Sequence, residues 1–246
     1  MDLPDPTRLI ETAGLELAPI GVYRVIDPAL FAPLVEPPPG KRACVFAYFQ
    51  EWQQGKTLHL TIENYGCGGA GSWLCGVSTR SRDDYVTFLA DSEGLKASHA
   101  LMEAWLDNLV THLTPLGPQE HLCIGPLRKD PGLYARLQTV TFYVTPDQLS
   151  LLATGAQYHA GPNDPPPVIA PFGSGCQQLI TAFPDLGVPQ AIIGATDIAM
   201  RQYLPPDRLA FTATKPMYER LCSLDKRSFL GKPFWRRLRE ARGTGV

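Results

Sequence analysis

The sequence predicts an α+β fold: a mixed β-sheet flanked by helices in a single globular domain spanning residues 1–246. Three observations predict it. Short apolar or alternating runs of strand type interleave with helical stretches along the whole chain. Some neighbouring strands read as direct pairs without a helical crossover, which favours a mixed sheet over a parallel one. The two proline clusters, 37–39 and 165–167, are too short to serve as a linker between domains.

In chain order, Thr7–Ala13 reads as a short helix that Thr7 or Asp5 can cap, and Pro19–Ile26 as a strand. The loop Glu36-Pro37-Pro38-Pro39-Gly40 leads to a helix over Ala43–Gln54. Thr57–Glu63 alternates, with Leu58, Leu60 and Ile62 on one face and His59, Thr61 and Glu63 on a polar or ligand-facing side. Helices follow over Arg82–Ala90 and Lys96–Thr111, the second with Leu101, Trp105, Leu106 and Leu109 as its core stripe. Strands are predicted at His121–Gly125 and Leu137–Val144. Pro146 then opens a helix through Leu152, since proline suits a first helical turn. The remaining elements are strands Val168–Pro171, Gln190–Ala195 and Leu209–Ala213, a helix Gln177–Phe183, and terminal helical segments.

Composition bounds the function. With 44% hydrophobic and 19% charged residues the chain is of globular type, and its net charge of −2 gives no general reason to expect a nucleic-acid partner. Charge is uneven, however. From Lys226 onward seven cations face one acid, Glu240, which makes 226–246 a basic C-terminal helical tail. No apolar run reaches the roughly 18 residues of a membrane span. The start, Met1–Pro6, lacks the pattern of an export signal. The six cysteines are dispersed, with no C-x-x-C pair, so the expectation is a cytoplasmic protein with reduced thiols.

Two glycine-rich loops carry the candidate chemistry. The first, Glu63-Asn64-Tyr65-Gly66-Cys67-Gly68-Gly69-Ala70-Gly71, and the second, Pro171-Phe172-Gly173-Ser174-Gly175-Cys176, each read as a link from strand to helix. Backbone N–H groups at such a junction favour an anion or a thiolate, and the same field activates a thiol. The candidate ligand-binding residues are therefore Glu63, Asn64, Gly66, Cys67, Gly68, Gly69, Gly173, Gly175, Cys176 and Asp197. Cys44, Cys67 and Cys176 are candidate metal ligands, for a metal ion or an iron–sulfur cluster. Cys75, Cys123 and Cys222 sit in apolar contexts and read as core residues. The two loop units hint at a duplicated half, although the residues around them do not align.

The chain resembles domain-of-unknown-function family 169. The resemblance runs in order through Pro19-Ile20-Gly21-Val22, Cys44, Cys67-Gly68-Gly69-Ala70, Phe142-Tyr143-Val144-Thr145-Pro146-Asp147-Gln148, Gly175-Cys176 and Ile193-Gly194. The family often has proline after the first-loop cysteine, where this chain has Gly68, and its late arginine corresponds to Arg201. The resemblance implies that Cys44, Cys67 and Cys176 belong together, and it implies no activity. Three functions stay open. One is a small-molecule, anion, metal or cofactor site at the two loops. Another is an enzyme with Cys67 or Cys176 as a nucleophilic or redox thiol and His59, Glu63 or Asp197 as proton carrier. The last is a structural or partner-binding protein, including a homo-oligomer, with packing cysteines.

Overall fold

Eight strands form one mixed sheet in the computed structural model, which describes residues 3–38, 44–61, 63–64, 81–110, 116–180 and 187–243. The strands are β1 (Ile20–Val25), β2 (Leu34–Val35), β3 (Thr57–Leu60), β4 (His121–Pro126), β5 (Leu137–Val144), β6 (Val168–Ile169), β7 (Ala191–Gly194) and β8 (Leu209–Thr214). Across the sheet they run β2-β3-β4-β1-β5-β8-β7-β6. The edge pairs β2–β3 and β6–β7 are parallel, and every pair between them is antiparallel. The single α+β domain with a mixed sheet is thus the observed architecture.

That strand order reads the same from both edges when β1–β4 are matched with β5–β8. Leu34 pairs with Thr57 and Val168 with Ala191, at the same sequence separation in both halves. β1 and β5 meet antiparallel at the centre, Ile20 opposite Thr141. The sheet is therefore two four-stranded repeats about a local two-fold. Each repeat crosses from its second to its third strand over the same sheet face. The first does so through a 3-10 turn, Val45–Tyr48, and a short helix, Phe49–Gln53, and the second through the helix Gly175–Ile180.

The repeat runs in a different register from the one suggested by the two glycine-rich loops. The second loop follows β6, whose counterpart is β2, so the partner of Cys176 is Cys44, at the N-cap of the Val45–Tyr48 turn. The first loop follows β3, whose counterpart is β7, and so corresponds to the segment that begins at Asp197. Between β3 and β4 the first repeat also carries an insertion with helices Arg82–Thr87 and His99–Val110. The second repeat has only a 3-10 helix, Ile198–Tyr203, between β7 and β8.

Helices cover both faces. One face carries Tyr23, Val140, Phe142 and Phe211, under helices Thr7–Ala13, Pro146–Gln157, Lys215–Cys222 and Pro233–Ala241. The other carries Val22, Leu58, Ile124 and Tyr143, under the two crossovers and the Ile198–Tyr203 turn. Because both faces are covered, all four residues of β3 are buried, Thr57 and His59 included. Of the side expected to be polar, His59 is accordingly packed, whereas Thr61 and Glu63 lie past the end of the strand and Glu63 is exposed.

The helix opened by Pro146 is held by a reciprocal cap. Thr145 Oγ1 accepts from the Gln148 N–H, and Gln148 Oε1 accepts from the Thr145 N–H at 2.9 Å. It continues to Gln157, past the predicted end, since Leu151, Leu152, Gly155 and Ala156 prolong its buried face. In the insertion, Leu101 is 56% exposed, contrary to the predicted stripe. Leu106 of the stripe is buried as predicted, and with Met102, one helical turn away, it packs against Tyr85 and Val86 of the preceding helix and against Leu89 just beyond it. The basic tail forms the helix Pro233–Ala241, anchored by buried Trp235, whose Nε1 donates to the Thr12 carbonyl.

Candidate functional site

The crossover helix of the second repeat starts at Gly175, and its first turn is held from two sides. Asp197, at the end of the β7 exit, accepts from the Gly175 N–H through Oδ2 (3.2 Å) and from the Ala199 N–H through Oδ1 (3.0 Å). Gln178 Nε2 donates to the Pro171 carbonyl (3.1 Å) and to Thr196 Oγ1 (2.9 Å). Asp197 thus acts as a cap that ties the second glycine-rich loop to the 3-10 turn Ile198–Tyr203. Ser174 Oγ lies 3.3 Å from Cys176 Sγ, and Cys176 is 4% exposed.

Beside this junction is a cavity of about 170 Å³. Cys44 and Cys176 both line it, so the equivalent cysteines of the two repeats share one space. Ser174, Gly175 and Asp197 add polar lining from the second repeat, and Glu93 adds a carboxylate from the insertion. The insertion closes the opposite side with Phe88, Leu89 and Trp105, and Trp105 meets Phe172 edge-on at 5.0 Å. Lys96 Nζ sits 4.0 Å above the Phe172 ring, a cation–π contact. An aromatic-walled cavity of this size takes a benzene-sized group, and is smaller than the pockets of roughly 300–1,000 Å³ that hold drug-sized ligands.

Tyr143 belongs to the core beneath the same sheet face, with its ring edge-on to Phe49 at 4.9 Å. Burial pushes its phenol well above the usual tyrosine range, and nearby Cys44 adds to the shift. Its Oη has no hydrogen-bond partner among the described residues. Tyr143→Phe removes that unsatisfied hydroxyl and should raise the unfolding free energy by about 1 kcal/mol, read from the urea midpoint. A lower midpoint would show that the hydroxyl is satisfied in solution.

The DUF169 family model, described as uncharacterised ArCR, matches residues 8–223. The chain belongs to this family. No curated protein and no solved structure matches it. Within the DUF169 domain the structure brings Cys44, Gly175, Cys176 and Asp197 to one cavity, with Gly173 buried in the adjoining loop. Gly66, Cys67, Gly68, Gly69 and Cys75 lie outside the described residues. Among the described residues, no group of three or more His, Cys, Asp or Glu side chains is arranged to hold a metal ion. Nor is any described helix long and apolar enough to cross a membrane.

Glu63 and Asn64 do not line the cavity. Asn64 Oδ1 accepts from the Thr61 N–H at 2.7 Å, and Thr61 Oγ1 accepts from the N–H groups of Glu63 and Asn64, so the pair shapes the turn after β3. His59 is on the opposite sheet face from Leu58 and Leu60, 7% exposed, with both ring nitrogens engaged. Glu36 Oε1 accepts from Nδ1 at 2.6 Å, and Nε2 meets His121 Nδ1 at 2.8 Å. It is therefore not placed to serve as a proton carrier for Cys176. Arg201 donates to the carbonyls of Pro205, Pro206 and Arg208, and so holds the turn before β8.

The residues that sequence reasoning missed are the aromatic walls. Trp105 read as core stripe and Phe88 as ordinary helix, because nothing local says that the insertion folds over the second repeat. Cys123 is the buried core thiol it was expected to be, whereas Cys222 is half-buried and packs at the margin of the core. Burial pushes each up to about 12 from an ordinary value of 9.0. Stability from these thiols is complete below the unfolded-state value and declines as pH rises from there towards the folded-state value. At pH 8 iodoacetamide should leave Cys123 unmodified in the native protein and label it in urea, by peptide mass spectrometry. Rapid native labelling of Cys123 would contradict its placement.

Proposed function

We propose that this DUF169 protein binds a small ligand with an apolar, aromatic-sized body and a thiol-seeking end, held between Cys44 and Cys176. The observation that carries the proposal is the convergence of these two cysteines, one from each repeat, on a single cavity walled by Trp105 and Phe172. Two thiols from separate crossovers suit a soft metal centre or an electrophilic atom, and the aromatic wall suits the remainder of the molecule. Ser174 and Asp197 supply polar contacts at the same end, and Asp197 also keeps the crossover in place. Cys67 is a further candidate for the thiol set, in keeping with the sequence expectation.

Phenylarsine oxide tests this directly, because it joins a phenyl group to an arsenic atom that links two thiols with loss of one water. The expected result is one equivalent bound, reversible by a small dithiol, and lost in both Cys44→Ser and Cys176→Ser but kept in Cys123→Ser. Elemental analysis and a UV–visible spectrum on protein purified without oxygen or chelator would identify a resident metal, and the same two variants should lose it. Equal arsenical uptake by wild type and both variants, or no uptake by wild type, would overturn the proposal.

A further inference from the structure

Two additions to the repeated sheet carry opposite charge. The inserted helical segment 81–110 has two cations, Arg82 and Lys96, against six acids, Asp83, Asp84, Asp91, Glu93, Glu103 and Asp107, a net −4. From Lys226 onward seven cations stand against Glu240 alone, a net +6. The family match ends at residue 223, so this tail lies beyond the matched part. The two additions sit on opposite faces of the sheet. Trp235 of the tail joins the cluster containing Leu9 and Phe211, whereas the insertion closes the cavity on the Cys176 side.

Both charged surfaces are only partly neutralised among the described residues, by pairs such as Arg82–Asp107 and Arg242–Asp147. Lys226, Lys232 and Arg237 are exposed and make no ion pair among the described residues, and the same holds for Asp83 and Glu103. Each surface also presents a large apolar side chain to solvent, Leu101 on the insertion (where Leu95 is exposed too) and Phe234 on the tail helix, both 56% exposed. The apolar side of the tail helix is already spent on its own domain through Trp235 and Leu238, which leaves the cationic side facing outwards.

We infer that the partner of each surface is a second copy of this chain, the basic tail helix of one docking on the acidic insertion of the next. Charge complementarity selects that occupant, and the exposed Leu101 and Phe234 provide apolar contact within the charged rim. Because the two surfaces lie on opposite faces, the contact is heterologous and head-to-tail, and so extends beyond a closed pair. Exposed ion pairs are individually weak and screened by salt, so the association is concentration-dependent and dissolves as salt rises.

Sedimentation equilibrium tests this. At low salt the weight-average mass should climb with concentration above the 27.0 kDa of one chain, and at high salt it should return to that value. K232Q/R237Q alone and D83N/E103Q alone should each remain single chains, with thermal midpoints matching wild type. An equimolar mixture of the two should stop at a pair, since only one intact basic surface and one intact acidic surface remain to meet. A single-chain mass for wild type at every concentration would overturn the inference. So would association that survives either double substitution or high salt.

Discussion

Trp52→Ala is expected to lower the unfolding free energy by about 3–5 kcal/mol, a large share of the roughly 5–15 kcal/mol that a domain possesses. Trp52 is fully buried and meets Phe46 edge-on at 6.0 Å and Phe49 at 6.5 Å. These three rings press the crossover of the first repeat onto the sheet, and that crossover begins at Cys44. Truncating the indole opens a void that neighbours on a sheet and a short helix can only partly fill. The loss should appear as a lower urea midpoint with an unchanged slope. Phe234→Ala, on the exposed side of the tail helix, is the control and should shift the midpoint by less than about 0.5 kcal/mol. If the two substitutions cost the same, the aromatic cluster is not what holds the first crossover.

Gly175→Ala should have the second large effect, and it should fall on the cavity as much as on the fold. A Cβ at this position would lie 2.8 Å from Met200 Cγ and 2.8 Å from Phe46 Cε2. Phe46 is held by Trp52 and cannot retreat, so Met200 must give way, and Met200 lines the cavity. Overpacking of this kind costs about 1–3 kcal/mol. Phenylarsine oxide uptake should be lost at temperatures where the variant is still fully folded by circular dichroism. Uptake equal to that of wild type would mean that Met200 relaxes away from the cavity, and that its packing does not govern entry.

Much of the fold was legible in the chain because its signals are local. Leu137–Val144 matched its predicted ends, and the helix after Val144 was announced by Pro146 at its first turn. The apolar setting of Cys123 likewise named it as a core thiol. Leu101 was misassigned because a stripe read from one helix does not specify which neighbour it faces. His59 was misread for a related reason. Alternation separates the two faces of a strand, but only the helices packed above decide whether the polar face meets water.

The sequence by itself determined most of the longer elements and the mixed character of the sheet, but not the edge strand Leu34–Val35 or the start of the second crossover helix at Gly175. Periodicity, caps and turn residues act over a few positions, and for that reason they survive in a linear reading. Only the tertiary structure decided that Cys44 is the counterpart of Cys176, that Asp197 caps the helix beginning at Gly175, and that Trp105 closes the space between them. These pairings join residues from 22 positions apart, for Gly175 and Asp197, to more than a hundred, for Cys44 and Cys176, and strand order sets them. Two loops that look alike in sequence therefore fall at different points of the repeat, and two cysteines in unlike surroundings meet at one site.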